Sequence, residues 1–455
     1  MASIARGGMA TSLIKPPKIS KMLPTNKSLN DHGLNREINA LYQEQHADIT
    51  SFICSLVEHP SLLGHEESAQ NFMEETFSDM GLDIDRFAIN HEALKKIDGY
   101  SPSVGEWDGH DNIVGIHRAK SNKGKSLILN GHIDVVPIGA EDLWSSQPFD
   151  SVVRDGRVFG RGSGDMKAGI AAYVFAFSSL KKLGYRPASD IFLQSVVEEE
   201  CTGNGALACL HRGYKADAAI IPEPFNETIM SAQMGVMWLQ IEITGKPAHV
   251  LHDTLGNNAI EATFKIWQHL KKLASAWNQD KHLHPPFTET DTPVKFNLGK
   301  ISGGEWASSV PTKCQMDVRC GFFPGQAPKD IQTVIERHLE KMIKGDPTLE
   351  NINHTITYSG FQSPGCVVDT SNEFISLLSN THERELGRPA ELFASAATTD
   401  VRTFQLYGHI PATCYGPEAL NIHGIDESVS IQSTVDVSRV ICHFITRWCG
   451  IEKDD

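Results

Sequence analysis

Glu198, Glu199 and Glu200 stand in a row in VVEEECTGNG, directly after the apolar run IFLQSVV. Carboxylates this close repel one another, and the end of a buried strand solvates them poorly. Other acids and histidines fall in comparable places: His132 and Asp134 in GHIDVVP, Asp165 in GRGSGDMKAG, Glu223 in IIPEP and His423 in NIHGIDE. In open α/β sheets, ligands bind at the carboxyl ends of strands. Imidazole and carboxylate without thiolate suit borderline-to-hard divalent cations, zinc first, with cobalt or manganese as alternatives. Several carboxylates withdrawn from water raise one another's pKa unless a cation holds them. Two cations sharing a bridging carboxylate account for the whole set.

Each motif also has an ordinary reading when taken alone. Asp165 before an apolar helix fits an N-cap. Adjacent glutamates can be a solvated strand end, Glu223 between two prolines a loop decoration, and His423 a surface histidine. In H-x-D, Asp134 lies on the same side of an extended segment as His132 and can accept from its far ring nitrogen. The glycine-rich stretch fails GxxxxGK[ST], because Ala168 follows Lys167, and it fails GxGxxG as well.

The elements that must position these residues form an α/β pattern. Apolar residues at helical spacing mark REINALYQEQHADITSFICSLV, ESAQNFMEETFSDMG and DMKAGIAAYVFAFSSLKKLG. Between and after them come strand-like LDIDRFAI, NIVGIH, SLILNGHIDVVP, SDIFLQSVV and DAAIIPEP. That alternation predicts a mostly parallel sheet flanked by helices. After Ser231 the period changes: GVMWLQIEITG alternates, and the order β-α-β-β-α-β predicts an inserted smaller α+β domain. The α/β pattern then resumes with a helix at 371–386, a strand near Leu392, a helix near Val401–Leu406, the strand PATCYG and a last helix from about Ser433. The expected division is a disordered tail at 1–33, a metal-binding catalytic domain at 34–231 and 361–455, and a lid and dimerisation domain at 232–360.

Bulk composition excludes several classes. A net charge of -15 argues against nucleic-acid binding, and no apolar run approaches membrane-spanning length. Nine scattered cysteines without CxxC predict neither a disulfide framework nor a thiolate zinc site, and point to a reducing, cytoplasmic setting. The first thirty residues hold no acid and several lysines, which reads as a disordered tail with a transit segment as the alternative.

Taken in order, these motifs resemble the co-catalytic metallopeptidase and aminoacylase family, which includes acetylornithine deacetylase, succinyl-diaminopimelate desuccinylase, aminoacylase and glutamate carboxypeptidase. The resemblance runs from about residue 35 to the C-terminus. It implies roles position by position. His132 and Glu223 would bind one metal, Glu200 and His423 the other, and Asp165 would bridge them, often before a cis bond. Asp134 would support His132, Glu199 would be the general base, and Glu198 stands where an Asp is frequent. In the inserted domain, His249 of GKPAH would reach across a dimer interface to the substrate carbonyl. Asn258 and Arg319 fall at positions near the substrate, where an arginine can grip a carboxylate.

Departures from the family pattern concern specificity. Ser308 stands where Asn is frequent, a common Gly-x-Pro after the histidine is replaced in AHVLHDTLG, and Glu418 and Ile422 alter two late motifs. The implied function is hydrolysis of the amide of a small N-acyl amino acid by metal-activated water, in a homodimer with two divalent ions per chain. A dipeptidase or carboxypeptidase on the same centre is the alternative. A non-catalytic, metal-stabilised binding protein would lack the base or a ligand, and none is missing.

Overall fold

The computed structural model describes residues 31–105, 110–350 and 352–454; the expected N-terminal tail up to residue 30 lies outside them. Helices α1 (Asp31–Glu44), α2 (His46–Val57) and α3 (Glu67–Asp79) lead into β1 (Asp83–Ala88), β2 (Asp111–His117) and β3 (Leu127–His132). Then follow α4 (Ala168–Lys182), β4 (Ile191–Val196), α5 (Asn204–Arg212) and β5 (Ala218–Ile221). β3, β4 and β5 are buried along their whole length, as strands covered by helices on both faces must be. The six-stranded sheet has the order β1-β2-β4-β3-β5-β10, where β10 is Ala412–Cys414. The pairs β4–β3, β3–β5 and β5–β10 are parallel, while β1 and β2 add an antiparallel edge. The sheet is therefore mostly parallel, as the alternating pattern predicts. His132 is the last residue of β3, and the glutamate triplet begins two residues after β4.

A second sheet has its own core. β6 (Gly235–Thr244), β7 (Phe296–Gly303), β8 (Lys313–Phe322) and β9 (Asn353–Ser363) pair antiparallel in the order β7-β8-β6-β9. Met237, Leu239, Ile241 and Ile243 of β6 point inward, and Trp238, Gln240 and Glu242 are partly exposed between them. Ala262, Ile266, Leu270 and Leu273 of α6 (Ala259–Gln279) and Ile331, Ile335 and Leu339 of α7 (Pro328–Gly345) cover the inner face. The residues of β6 that point away from these helices are only partly buried, which is what period-two alternation implies.

Helices α8 (Glu373–Leu386) and α9 (Ile431–Trp448) complete the first layer, and α9 packs on α4. Two expected elements form in particular settings. The strand at Leu392–Ser395 does not join the large sheet; it pairs parallel with Ile229–Gln233 in a separate three-stranded sheet. The helix expected near Val401–Leu406 starts at Val401 and widens into a π-helical stretch at Thr403–Gly408. Among the described residues no helix is long and apolar enough to cross a membrane.

Candidate metal centre

His132 ends β3 with its ring buried. Nδ1 bonds the backbone carbonyl of Asp134 at 2.9 Å, while the Asp134 carboxylate lies 3.8 Å away. The expected carboxylate partner of His132 is thus a carbonyl. The carboxylate does something else: its oxygens accept from the N–H groups of Glu199, at 3.2 Å, and Glu200, at 3.1 Å. Asp134 thereby ties the end of β3 to the turn after β4. Either partner fixes the imidazole so that Nε2 faces outward.

That Nε2 lies 3.1 Å from Asp165 Oδ1 and 3.8 Å from Glu223 Oε1. Asp165 turns its other oxygen, Oδ2, to His423 Nε2 at 3.2 Å, and His423 Nε2 also meets Glu200 Oε1 at 3.1 Å. One carboxylate therefore stands between two imidazoles, one oxygen to each. Asp165 is not an N-cap: it has non-helical backbone angles in the turn Ser163–Lys167, and the regular helix starts at Ala168. The Asp165–Met166 bond is cis, as the resemblance implies.

Glu223 is held by close packing of backbone. A Cβ on Gly169 would fall 2.1 Å from the Pro222 carbonyl, and one on Gly416 2.3 Å from the Glu223 carbonyl. Only glycine lets α4 and the segment after β10 approach so closely. His423 sits on a turn at φ 62°, with its side chain half exposed.

Glu198 takes no part in this cluster. It adopts φ 63°, and its carbonyl accepts from the N–H groups of Thr202 and Gly203. Its buried carboxylate is held by Thr202 Oγ1 at 2.5 Å and Asn204 Nδ2 at 3.1 Å. His91 Nε2 at 3.1 Å and His110 Nε2 at 3.3 Å complete the shell, and His110 leans on Glu66 through Nδ1 at 2.9 Å. Burial opposes both charges. Even so, the hydrogen bonds from His110 and His91 bring Glu198 down to about 2, and those to Glu198 and Glu66 lift His110 to about 10.

The residues fit two divalent cations. In a tetrahedral site with bonds near 2.1 Å, neighbouring ligand atoms lie about 3.4 Å apart, close to the contacts around Asp165. Ligand atoms of His132, Glu199 and Glu223, and of His132, Asp165 and Glu200, all come within 4.8 Å of one another. The cluster's ion pairs among the described residues are with histidine, not lysine or arginine. Glu199 is buried, and its Oε1 has no hydrogen-bond partner. The electrostatics agree. Burial, then Glu223, Asp400 and Glu200, push Glu199 well up; burial and Asp165 do the same to Glu223. Burial brings Asp134 to about 7, and the Glu200 charge raises His423 to about 11.

The structure thus brings His132, Asp134, Asp165, Glu199, Glu200, Glu223 and His423 together. It does not join His249, Asn258 or Arg319 to them by any hydrogen bond or ion pair among the described residues. His249 is exposed on the loop after β6, where Nδ1 accepts from Leu251 N–H. Asn258 caps α6 by accepting from the N–H groups of Ile260 and Glu261. Arg319 spends its guanidinium on the carbonyls of Lys295 and Ala396, instead of standing free for a carboxylate. Sequence reasoning missed Asp400, a buried carboxylate beside the cluster with both oxygens unpartnered. Its only sequence signal is an acid after the small polar run SAATT.

Residues 128–447 match the model of peptidase family M20/M25/M40. The chain belongs to this family. Its M20 relatives include an N-formyl-4-amino-5-aminomethyl-2-methylpyrimidine deformylase of Bacillus subtilis, 29% identical, covering 77% of this chain and 87% of that protein. A succinyl-diaminopimelate desuccinylase of Cupriavidus pinatubonensis is 27% identical, covering 70% of this chain and 82% of its own. The fold is shared with human carnosine dipeptidase 1, with a TM-score of 0.74, 12% identity and coverage of 91% and 99%. It is also shared with the YXEP protein of Bacillus subtilis, a dinuclear metal binding peptidase of the M20 family, with a TM-score of 0.56, 16% identity and coverage of 89% and 98%. As an M20 member the chain is a hydrolase of amide C–N bonds.

Proposed function

We propose that this M20 member is a deacylase that cleaves the amide of a small N-acyl amino acid. The observation that carries the reading is Asp165 set between His132 and His423, with a buried Glu199, grouped with His132 and Glu223, whose Oε1 has no hydrogen-bond partner among the described residues. His132, Glu223 and Asp165 would hold one divalent ion, and Asp165, Glu200 and His423 a second. Zinc suits the donors best, with cobalt or manganese next. When bound, the ions supply Lewis-acid polarisation of the amide carbonyl and make water more acidic.

The chain's own residues do the rest. Glu199 accepts a proton from the attacking water and returns it to the leaving amine; burial and the neighbouring carboxylates push its pKa up, which makes it a stronger base. Asp134 keeps Glu199 and Glu200 in place through their backbone N–H groups. The second sheet with its helices, roughly 232–360, acts as the lid. His249 is exposed there, so it would serve the substrate carbonyl of a second copy of the chain, which makes the active species a homodimer. The deformylase and the desuccinylase both remove a small acyl group from an amine, which supports the deacylase reading over peptide cleavage.

The test is a panel of N-formyl, N-acetyl and N-succinyl amino acids against dipeptides, with metal analysis and light scattering on the same preparation. The expected result is cleavage of an N-acyl amino acid that is lost with chelator and restored by zinc, from a dimer. Faster turnover of dipeptides would replace the substrate class. A monomer at micromolar concentration would contradict the role given to His249.

A further inference from the structure

One buried ion pair touches three of the segments that carry the proposed ligands. Arg161 Nη1 donates to Glu427 Oε2 at 2.5 Å, and both side chains are 1% exposed. Glu427 follows His423 in NIHGIDE. Besides Arg161, its carboxylate accepts from the N–H of Gly162 through Oε2, and from those of Gly164 and Asp165 through Oε1, each at 3.0 Å. The His423 segment thus grips the backbone of the bridging aspartate directly. Arg161 reaches the other way. Its Nη2 donates to the carbonyl of Gly424, beside His423, at 3.1 Å, and to that of Pro137, in the His132 motif, at 3.2 Å. Its guanidinium carbon lies 5.2 Å from the Trp144 ring centre.

A pair buried this deeply is a weak source of net stability, because desolvation offsets most of its attraction. What it supplies here is register among segments distant in sequence. The contacts are also uneven. Most converge on Asp165 and on the neighbours of His423, with one to Pro137, whereas among the described residues no hydrogen bond joins Arg161 or Glu427 to Glu223, whose backbone is packed against Gly169 and Gly416. His132 is oriented by the Asp134 carbonyl.

We propose that the Arg161–Glu427 pair fixes the spacing between Asp165 and His423, so that the cation on the His423 side, with two ligands on segments the pair holds directly, depends on it more than the cation beside His132 and Glu223, which shares Asp165 but keeps Glu223 on its own support. This rests on the two-cation reading given above. Neither residue touches the reacting atoms; both are positioning residues.

The experiment titrates chelator-stripped protein with zinc against a chromogenic competitor, for the parent, Glu427→Gln and Arg161→Lys. The parent should bind two equivalents. In Glu427→Gln, which keeps the size but loses acceptor capacity, the weaker equivalent should fall in affinity by about 10–100-fold, the usual loss when a ligand's supporting contact is removed. The tighter equivalent should fall by less. Kinetically, kcat should fall at limiting zinc and recover in excess zinc with KM unchanged. The visible spectrum of protein loaded with one equivalent of cobalt should match the parent's. Arg161→Lys leaves the backbone N–H contacts of Glu427 intact and should show a smaller loss at the same equivalent.

Equal weakening of both equivalents, or of neither, overturns the proposal. So does an Arg161→Lys protein that fails to fold, since the pair would then be a general folding element. If Glu427→Gln alone fails to fold, Arg161→Lys decides by the same criteria. A parent that binds fewer than two equivalents sinks the two-cation reading itself and leaves a different signature from failure of the clamp.

Discussion

The two sheets treat their polar residues in opposite ways. At the carboxyl ends of β3, β4 and β5, buried carboxylates and imidazoles face one another, and the Glu199 oxygen is left unpartnered. On the antiparallel sheet, the residues singled out from sequence are satisfied locally. Asn258 caps α6, Arg319 holds two backbone carbonyls, and His249 bonds the next turn while open to solvent. Unsatisfied buried groups are costly, and they persist where a ligand or a reaction repays the cost. We infer from the contrast that the metal chemistry belongs to the first layer, while the second covers it and lends His249 to a second copy of the chain.

The sharpest way to break that contrast is at the shared aspartate. Asp165→Asn should abolish measurable turnover and lower the bound metal below two equivalents, as read by elemental analysis. Next comes the base. Glu199→Ala should keep both equivalents of metal yet lose about 10²–10⁴ in kcat, the range for removing a positioned general acid–base. A Glu199→Ala enzyme running at the parental rate would move the proton elsewhere.

A smaller effect concerns the support beneath the glutamate turn. Glu198 is lowered from 4.5 to about 2, so its stabilisation is complete above pH 4.5 and fades as pH falls through 2. His110 is raised from 6.5 to about 10, so its share is complete below pH 6.5 and fades as pH rises through 10. The pair therefore contributes most between these ordinary values. His110→Gln should cost about 3 kcal/mol there by denaturant unfolding, the scale for breaking a buried pair, and less in strong alkali. A cost independent of pH would mean that His110 is neutral in the fold.

The smallest effect tests the second layer. Asn258→Ala should lose about 1 kcal/mol of stability with its cap, and Asn258→Asp, which can still cap, should lose little. Neither should change KM. A raised KM in Asn258→Asp would return this residue to the substrate.

How much of this was legible in the sequence follows from the length of each signal. Long buried runs such as IFLQSVV, and the alternation in GVMWLQIEITG, carry enough periodicity to place whole strands. The proposed ligands stand out in the sequence because each sits in a short polar motif that interrupts an apolar pattern. The strands Val152–Arg154, Ala419–Leu420 and Ser428–Ser430 were not, since two or three residues hold no pattern. The His132 partner could not be read either, because H-x-D offers a carboxylate and a carbonyl in the same place. Asn258 was legible in another sense: Asn-x-x-Glu opening an apolar helix is a capping signal, overshadowed by its place in a family motif. Arg161 and Glu427 meet across 266 residues, and Asp400 lies buried beside the cluster with no hydrogen-bond partner on its carboxylate among the described residues; local pattern encodes neither.

The most direct measurement is anomalous diffraction at the zinc edge from crystals of the zinc-loaded protein. The account predicts two peaks flanking the Asp165 carboxylate, one beside His132 and Glu223 and the other beside His423 and Glu200. A single peak, or peaks that leave Asp165 untouched, would contradict it.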